Sequence, residues 1–233
     1  MSARLRGLRE AHGQRGFTLI EMLLAMAVGS VLIFASYGLM DASGVQTIKV
    51  TDRVDSTQRG RLAMDEIVRQ LHSQVCLKAG TATITDGRDN SITFYSFTGA
   101  GTYLPVRHTI AYDPTTRAIT DYSYAGSGTP PDMTYPSTPT ATRVLLANAT
   151  QVNGAPIFGY YAWTSSGTVA PTVALATPLS AADALRTVRV TVQFAAQPTG
   201  KTSSPEATVL QDEVLSRTAD PDGQTGPELP PCE

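Results

Sequence analysis

The chain has 233 residues, with 18 Lys and Arg against 20 Asp and Glu, for a formal net charge of −2. That balance argues against nucleic acid as the main partner, because such binding draws on clustered cations. The size allows one domain, or two small ones, plus a membrane segment.

The charge is unevenly placed. Residues 1–16 hold Arg4, Arg6, Arg9 and Arg15 against Glu10, a balance of +3, which leaves −5 for the remainder. A basic end before an apolar stretch is an orientation signal, since Lys and Arg stay on the cytoplasmic side. The bulk of the chain is therefore expected outside the cytoplasm. Its Thr-, Ser-, Ala-, Gly- and Pro-rich composition after residue 77 agrees. In an oxidising compartment the two cysteines, Cys76 and Cys232, are expected to pair; two free buried thiols are the alternative. The bridge would close a loop of roughly 155 residues, worth about 4–5 kcal/mol on the chain-entropy model.

Residues 17–40 are a 24-residue apolar run with one charge, Glu21. A helix of about 20 apolar residues crosses a bilayer core. Ala25-Met26-Ala27 has the form of a signal-peptidase site, but cutting there leaves a hydrophobic stretch of about eight residues interrupted by an acid. An uncleaved signal anchor explains the length and orientation, but not the acid. A charge near the bilayer centre costs about 2.5–3.5 kcal/mol, so it is normally there for a partner. Glu21 lies about 6 Å along a helix axis from Phe17. A cut after Gly16 would place a new α-amine and positive first-turn N–H groups near that carboxylate.

The segment Arg15-Gly16-Phe17-Thr18-Leu19-Ile20-Glu21 resembles the class III signal sequence of type IV pilins and type II secretion pseudopilins. The resemblance implies cleavage after Gly16 by a prepilin peptidase, N-methylation of Phe17, and use of Glu21 to neutralise the Phe17 amine of an adjacent subunit during assembly. The implied partners are that peptidase, the lipid bilayer, other pilin or pseudopilin subunits through the N-terminal helix, and an inner-membrane assembly platform. The implied location is the inner membrane in a single pass, with the N-terminus cytoplasmic and the head extracytoplasmic, followed by a pilus or pseudopilus.

Gly38 and Gly44 weaken a continuing helix by about 1 kcal/mol each relative to Ala. Met64, Ile67, Val68, Leu71 and Val75 then form an i, i+3, i+4, i+7 stripe, read as packing against a sheet rather than as a binding groove. Asp65 and Arg69 have i, i+4 spacing for an ion pair. A helix over residues 18–75 would be about 85 Å long. Strands follow. "TATITDGRDNSITFYSF" reads as a hairpin around Asp86-Gly87, and "HTIAYDPTTRAITDYSY" as another around Asp113-Pro114. Further strands are expected at 143–152, 157–163, 185–196 and 208–216. In the third, Val188, Val190, Val192 and Phe194 alternate with polar residues, as in a half-buried antiparallel strand. Residues 125–142 and 164–178 read as loops.

The expected architecture is α+β, the pilin lollipop: a leader at 1–16, a transmembrane and assembly half of a long N-terminal helix at 17–40, its amphipathic half at 41–76, and an antiparallel β-sheet-rich globular head at 77–233. The order of "RGRLAMDEIVRQLHSQVC", "SITFYSF", "IFGYYAW" and "RTVRVTVQF" resembles J-type minor pseudopilins and W-type minor pilins. The alternative is a signal-anchored envelope protein whose β-rich head binds a ligand.

No enzymatic motif emerges, and no cofactor is expected. His12, His72 and His108 have no third partner signalled for zinc. Asp220, Asp222 and Glu228 in "DPDGQTGPE" are calcium candidates, but they lack EF-hand spacing, and an acidic surface turn is the simpler reading. Asp86, Gly87, Asp89 and Asn90 are turn formers before they are ligands. The tyrosines are read as half core and half surface.

Overall fold

The computed structural model describes residues 17–78, 81–97, 104–163, 173–201 and 203–216. The chain divides into two units, Met1–Ile48 and Lys49–Glu233. Helix α1 (Leu19–His72) supplies residues 19–48 to the first and 49–72 to the second. Its hydrogen-bonded helix is unbroken at Gly38 and Gly44.

In the first unit the large apolar side chains are exposed, among them Leu23, Val31, Phe34 and Met40. Apolar residues surround the helix here instead of forming one stripe, so no face is marked for a core.

In the second unit α1 buries Ser56, Gly60, Ala63, Met64, Ile67, Gln70 and Leu71. This is the expected stripe, with Val68 half-buried against the same core. The helix ends at His72, short of the expected limit at 76. The reason is a competing strand. The Ser73 amide is shared between the Arg69 and Gln70 carbonyls, Gln74 bridges Ser96, and the Val75 amide donates to the Tyr95 carbonyl at 2.9 Å. Val75 therefore leaves the helical stripe. Arg69 bonds Glu66 rather than Asp65, because Glu66 is the acid turned toward the sheet, where Gln70 and Arg143 also reach it.

The strands, in chain order, are β1 (Ile84–Arg88), β2 (Ser91–Ser96), β3 (Val106–Asp113), β4 (Ala118–Ala125), β5 (Ser127–Thr129), β6 (Asp132–Thr134), β7 (Ala141–Leu146), β8 (Ala149–Thr150), β9 (Phe158–Ala162), β10 (Val173–Ala174), β11 (Arg189–Ala196) and β12 (Thr208–Leu215), with a short helix α2 (Ala181–Leu185) before β11. One antiparallel sheet has the order β1-β2-β3-β4-β7. A second runs β10-β9-β11-β12, with β8 on the end of β11. Strands β5 and β6 form a separate hairpin. Ile67 and Leu71 of α1 share one core with Ile92, Phe94, Ile110, Ile119, Phe158, Val192 and Phe194 from the two sheets.

Several local readings change, among them residues 164–178, expected as loop, which carry β10 at Val173–Ala174 paired with β9. Asp86-Gly87 lies inside β1, and the turn falls at Asp89-Asn90. Gly87 serves close packing: a Cβ there would sit 2.5 Å from Leu179 Cδ1 and 2.9 Å from Tyr160 Cζ. The stretch expected as one strand at 143–152 splits at Asn148, whose φ of 59° is left-handed, a conformation asparagine tolerates. That break sends the chain from the first sheet (β7) to the second (β8). Residues 125–142, expected as loop, contain the β5–β6 hairpin. The alternation in β11 holds, with Val190, Val192 and Phe194 buried.

Candidate functional site

The N-terminal end of α1 is built by two side chains. Thr18 stands one residue before the helix. Its hydroxyl accepts from the Glu21 amide at 3.3 Å, while Glu21 Oε2 accepts from the Thr18 amide at 3.0 Å. The Thr18 hydroxyl also donates to Glu21 Oε2 at 3.0 Å. This is a reciprocal capping box, Thr-x-x-Glu, and it satisfies two amides that a helix start leaves orphaned. The arrangement suits a bilayer, where no water is present to take over those amides. Only one carboxylate oxygen is used. Glu21 Oε1 makes no hydrogen bond among the described residues. Phe17 lies before the cap and is 88% exposed.

Of the residues singled out by sequence, Phe17 and Glu21 thus come together at one helix end. Gly16 lies outside the described residues. Thr18 joins Phe17 and Glu21 through a signal that the sequence carries: a Thr three residues before a Glu, ahead of an apolar run, is the written form of the cap. Cys76 follows the end of α1 and is not a free thiol; Cys232 lies outside the described residues, so the pairing between them stays a proposal. The calcium candidates Asp220, Asp222 and Glu228 also lie outside them. Among the described residues no group of three His, Cys, Asp or Glu side chains is placed to hold a metal. Asp86 is paired with Arg88, and Asp89 accepts from the Thr177 hydroxyl.

The second unit carries a buried polar relay. His108 Nδ1 lies 2.9 Å from Asp121 Oδ1, and Gln70 Nε2 donates to Asp121 Oδ2 at 3.0 Å and to Glu66 Oε1 at 2.9 Å. Arg69 and Arg143 close the chain on Glu66. The Arg69 guanidinium holds the Glu66 carboxyl below the ordinary carboxylate value, against the opposing effect of burial. The relay spans α1, β3, β4 and β7, so it fixes where the helix sits on its sheet. His108 thereby serves packing, while His72 stands exposed on the helix.

The tyrosines divide as expected for a β domain. Tyr160 is buried and donates to the carbonyls of Arg88 and Ser91, at 3.1 and 3.2 Å. Tyr95, Tyr124 and Tyr135 are half-buried around Arg107, whose guanidinium lies 4.1 Å from the Tyr124 ring centre. Burial, with Tyr95 adding to it, pushes the Tyr135 phenol up to about 12.

Residues 11–37 match the family described as the prokaryotic N-terminal methylation motif. No curated protein and no solved structure matches the chain. The match covers the expected cleavage position, the capping box and most of the apolar run. It supports the pilin and pseudopilin class and a prepilin-type substrate of prepilin peptidase. Helix α1 contains an 18-residue window of mean hydropathy 2.2 with none of it buried, long and apolar enough to cross a membrane. A signal sequence passes that test too, but joined to the methylation motif the helix supports membrane anchoring.

Proposed function

We propose that the chain is the precursor of a minor pilin or pseudopilin. It is cut between Gly16 and Phe17, N-methylated at Phe17, held in the inner membrane in a single pass, and assembled through residues 17–40 with sister subunits into a type IV pilus or a type II secretion pseudopilus. The carrying observation is the methylation motif of residues 11–37 running directly into an unpartnered apolar helix that precedes an antiparallel β-rich unit. The free Glu21 oxygen supports the assigned docking role. The carboxylate keeps its own helix capped through Oε2 and presents Oε1 to a neighbouring subunit's amine. A J- or W-type subunit rests on the order of segments alone.

The test is N-terminal sequencing and intact mass of the protein recovered from membranes of cells that contain a prepilin peptidase. A start at N-methyl-Phe17 is expected. A protein that retains Met1 or Ser2 in the presence of active peptidase overturns the reading.

A further inference from the structure

The apolar run is longer than a bilayer needs, so its outer boundary is not set by hydrophobicity. From Phe17 to Met40 a helix rises about 35 Å, whereas a hydrocarbon core is about 30 Å thick. The polar side chains divide the run more sharply. Four lie between residues 18 and 36, and all four bond within the helix. Thr18 and Glu21 cap each other, the Ser30 hydroxyl donates to the Ala27 carbonyl at 2.8 Å, and the Ser36 hydroxyl donates to the Leu32 carbonyl at 2.8 Å. Apart from Glu21 Oε1, which is left open for an amine, none of them needs a partner outside the helix. The next two polar side chains are Tyr37 and Asp41. Neither makes a hydrogen bond among the described residues, and Tyr37 is 74% exposed. Beyond Glu21, at the other end of the run, the switch from self-satisfied to open polar groups thus falls at Tyr37. The helical rise from Phe17 to Tyr37 is about 30 Å, the thickness of the core itself.

We propose that Tyr37 is an interfacial anchor that seats its ring and hydroxyl among the lipid carbonyls and headgroups of the outer leaflet, and that Asp41 lies one turn further out in the headgroup layer. The inference rests on the membrane-anchoring reading and deepens it. A tyrosine suits this place because one end of its ring is apolar and the other carries a hydroxyl that needs a partner. The hydrocarbon-spanning segment is then 17–37, and Leu39 and Met40 lie at the interface. Glu21 sits about 6 Å inside the opposite face, within reach of the amine end.

The experiment uses the full chain in phosphatidylcholine vesicles with lipids brominated either near the headgroup or near the chain end. Three reporters are made in a Trp163→Phe background: Tyr37→Trp, Met26→Trp near the middle of the span, and Met26→Trp combined with Tyr37→Leu. Shallow bromines should quench Trp at 37 at least about twofold more than deep ones, with the reverse order for Trp at 26. In the third protein the order at 26 should shift toward shallow quenching, because the apolar span now extends to Met40. Deep quenching at 37, or an unchanged profile at 26 after Tyr37→Leu, overturns the anchor while leaving the span in place. Absence of lipid quenching at 26, with the protein failing to float with vesicles, overturns the membrane reading and the anchor together.

Discussion

The two stretches of α1 are one helix written in two ways. Over residues 49–72 the buried positions mix large and small side chains, with Ile67 and Leu71 filling the core and Ser56, Gly60 and Ala63 admitting close neighbours. Polar partners are specific and supplied by the same chain. The β11–β12 connection meets successive turns of the helix: Lys201 pairs with Asp52, the Thr199 hydroxyl donates to Asp55, Arg59 donates to the Gln197 carbonyl, and Ser56 donates to the Glu206 carbonyl. Over residues 19–48 no such selection is visible. A Cβ added at Gly29, Gly38 or Gly44 meets nothing within 4 Å. A helix whose partners lie in its own chain carries an imprint of their shape. A helix suited to lipid carries mainly apolarity, and within its apolar run Ser30 and Ser36 bond to carbonyls of their own helix.

The most forceful way to break this comparison is to delete matched apolar groups. Ile67→Ala should lower the stability of the β-rich unit by about 2–5 kcal/mol through lost burial and a cavity. Leu23→Ala should leave it unchanged within about 0.5 kcal/mol. Thermal unfolding of the full chain in detergent, followed by near-ultraviolet circular dichroism, reads both. A comparable loss from Leu23→Ala would mean that the first stretch does have an intramolecular partner.

The glycines sharpen the same contrast at smaller amplitude. At Gly60 a Cβ would lie 2.3 Å from Leu210 Cδ1 and 2.9 Å from Ala196 Cβ. Gly60→Ala should destabilise by about 1–3 kcal/mol from overpacking, offset in part by about 1 kcal/mol of helix propensity. Gly29→Ala gains propensity with no clash, and its melt should match the parent. If Gly60→Ala melts no earlier than Gly29→Ala, the side chain of Leu210 yields and Gly60 is not a packing requirement.

The capping box gives a third contrast, between a residue's local and intermolecular duties. Thr18→Ala removes a cap worth about 0.5–2 kcal/mol to the helix end. Thr18→Ser keeps the hydroxyl and should restore protection of the Glu21 amide in hydrogen exchange. Glu21→Gln keeps a side-chain oxygen that can accept the Thr18 bonds but removes the charge. It should therefore preserve amide protection and cleavage while reducing filament incorporation. Normal filaments from Glu21→Gln would show that the cap, not the charge, is what assembly uses.

What the sequence reveals follows the same division. Periodic signals are legible because burial on one face forces them: the stripe at Met64, Ile67 and Leu71, and the alternation at Val190, Val192 and Phe194, both appear where expected. Signals with two physical meanings mislead. Gly87 follows Asp86 as in a turn, but the glycine is there because Leu179 and Tyr160 come close, a contact 73 or more residues away in sequence. Asn148 breaks a run of strand-forming residues by a single left-handed residue that no periodicity announces. The partner of Arg69 depended on which acid faces the sheet, a fact set by Gln70 and Arg143. At the helix start, the Thr18–Glu21 bonds were encoded locally in four consecutive residues, so that part of the site was readable without tertiary context.

The smallest expected effect is acid sensitivity, and it tests the polar half of the imprint. Arg69 holds Glu66 below the ordinary carboxylate value by a hydrogen bond, and Arg59 does the same for Asp55. A carboxyl held low in the folded state contributes stability that is complete above its unfolded pKa, about 4 for these side chains, and is lost as pH falls through the lower folded value. The melting temperature of the β-rich unit should therefore stay level on titration from neutral pH down to about 5 and fall below about 4. The two pairs differ in exposure: the Glu66 side chain is 14% accessible and that of Asp55 43%. Solvent screens the second more, so Glu66→Gln should flatten the acid limb further than Asp55→Asn does. Equal flattening would place the acid response in the outer clasp of the β11–β12 connection rather than in the relay that joins Glu66 through Gln70 to Asp121 and His108.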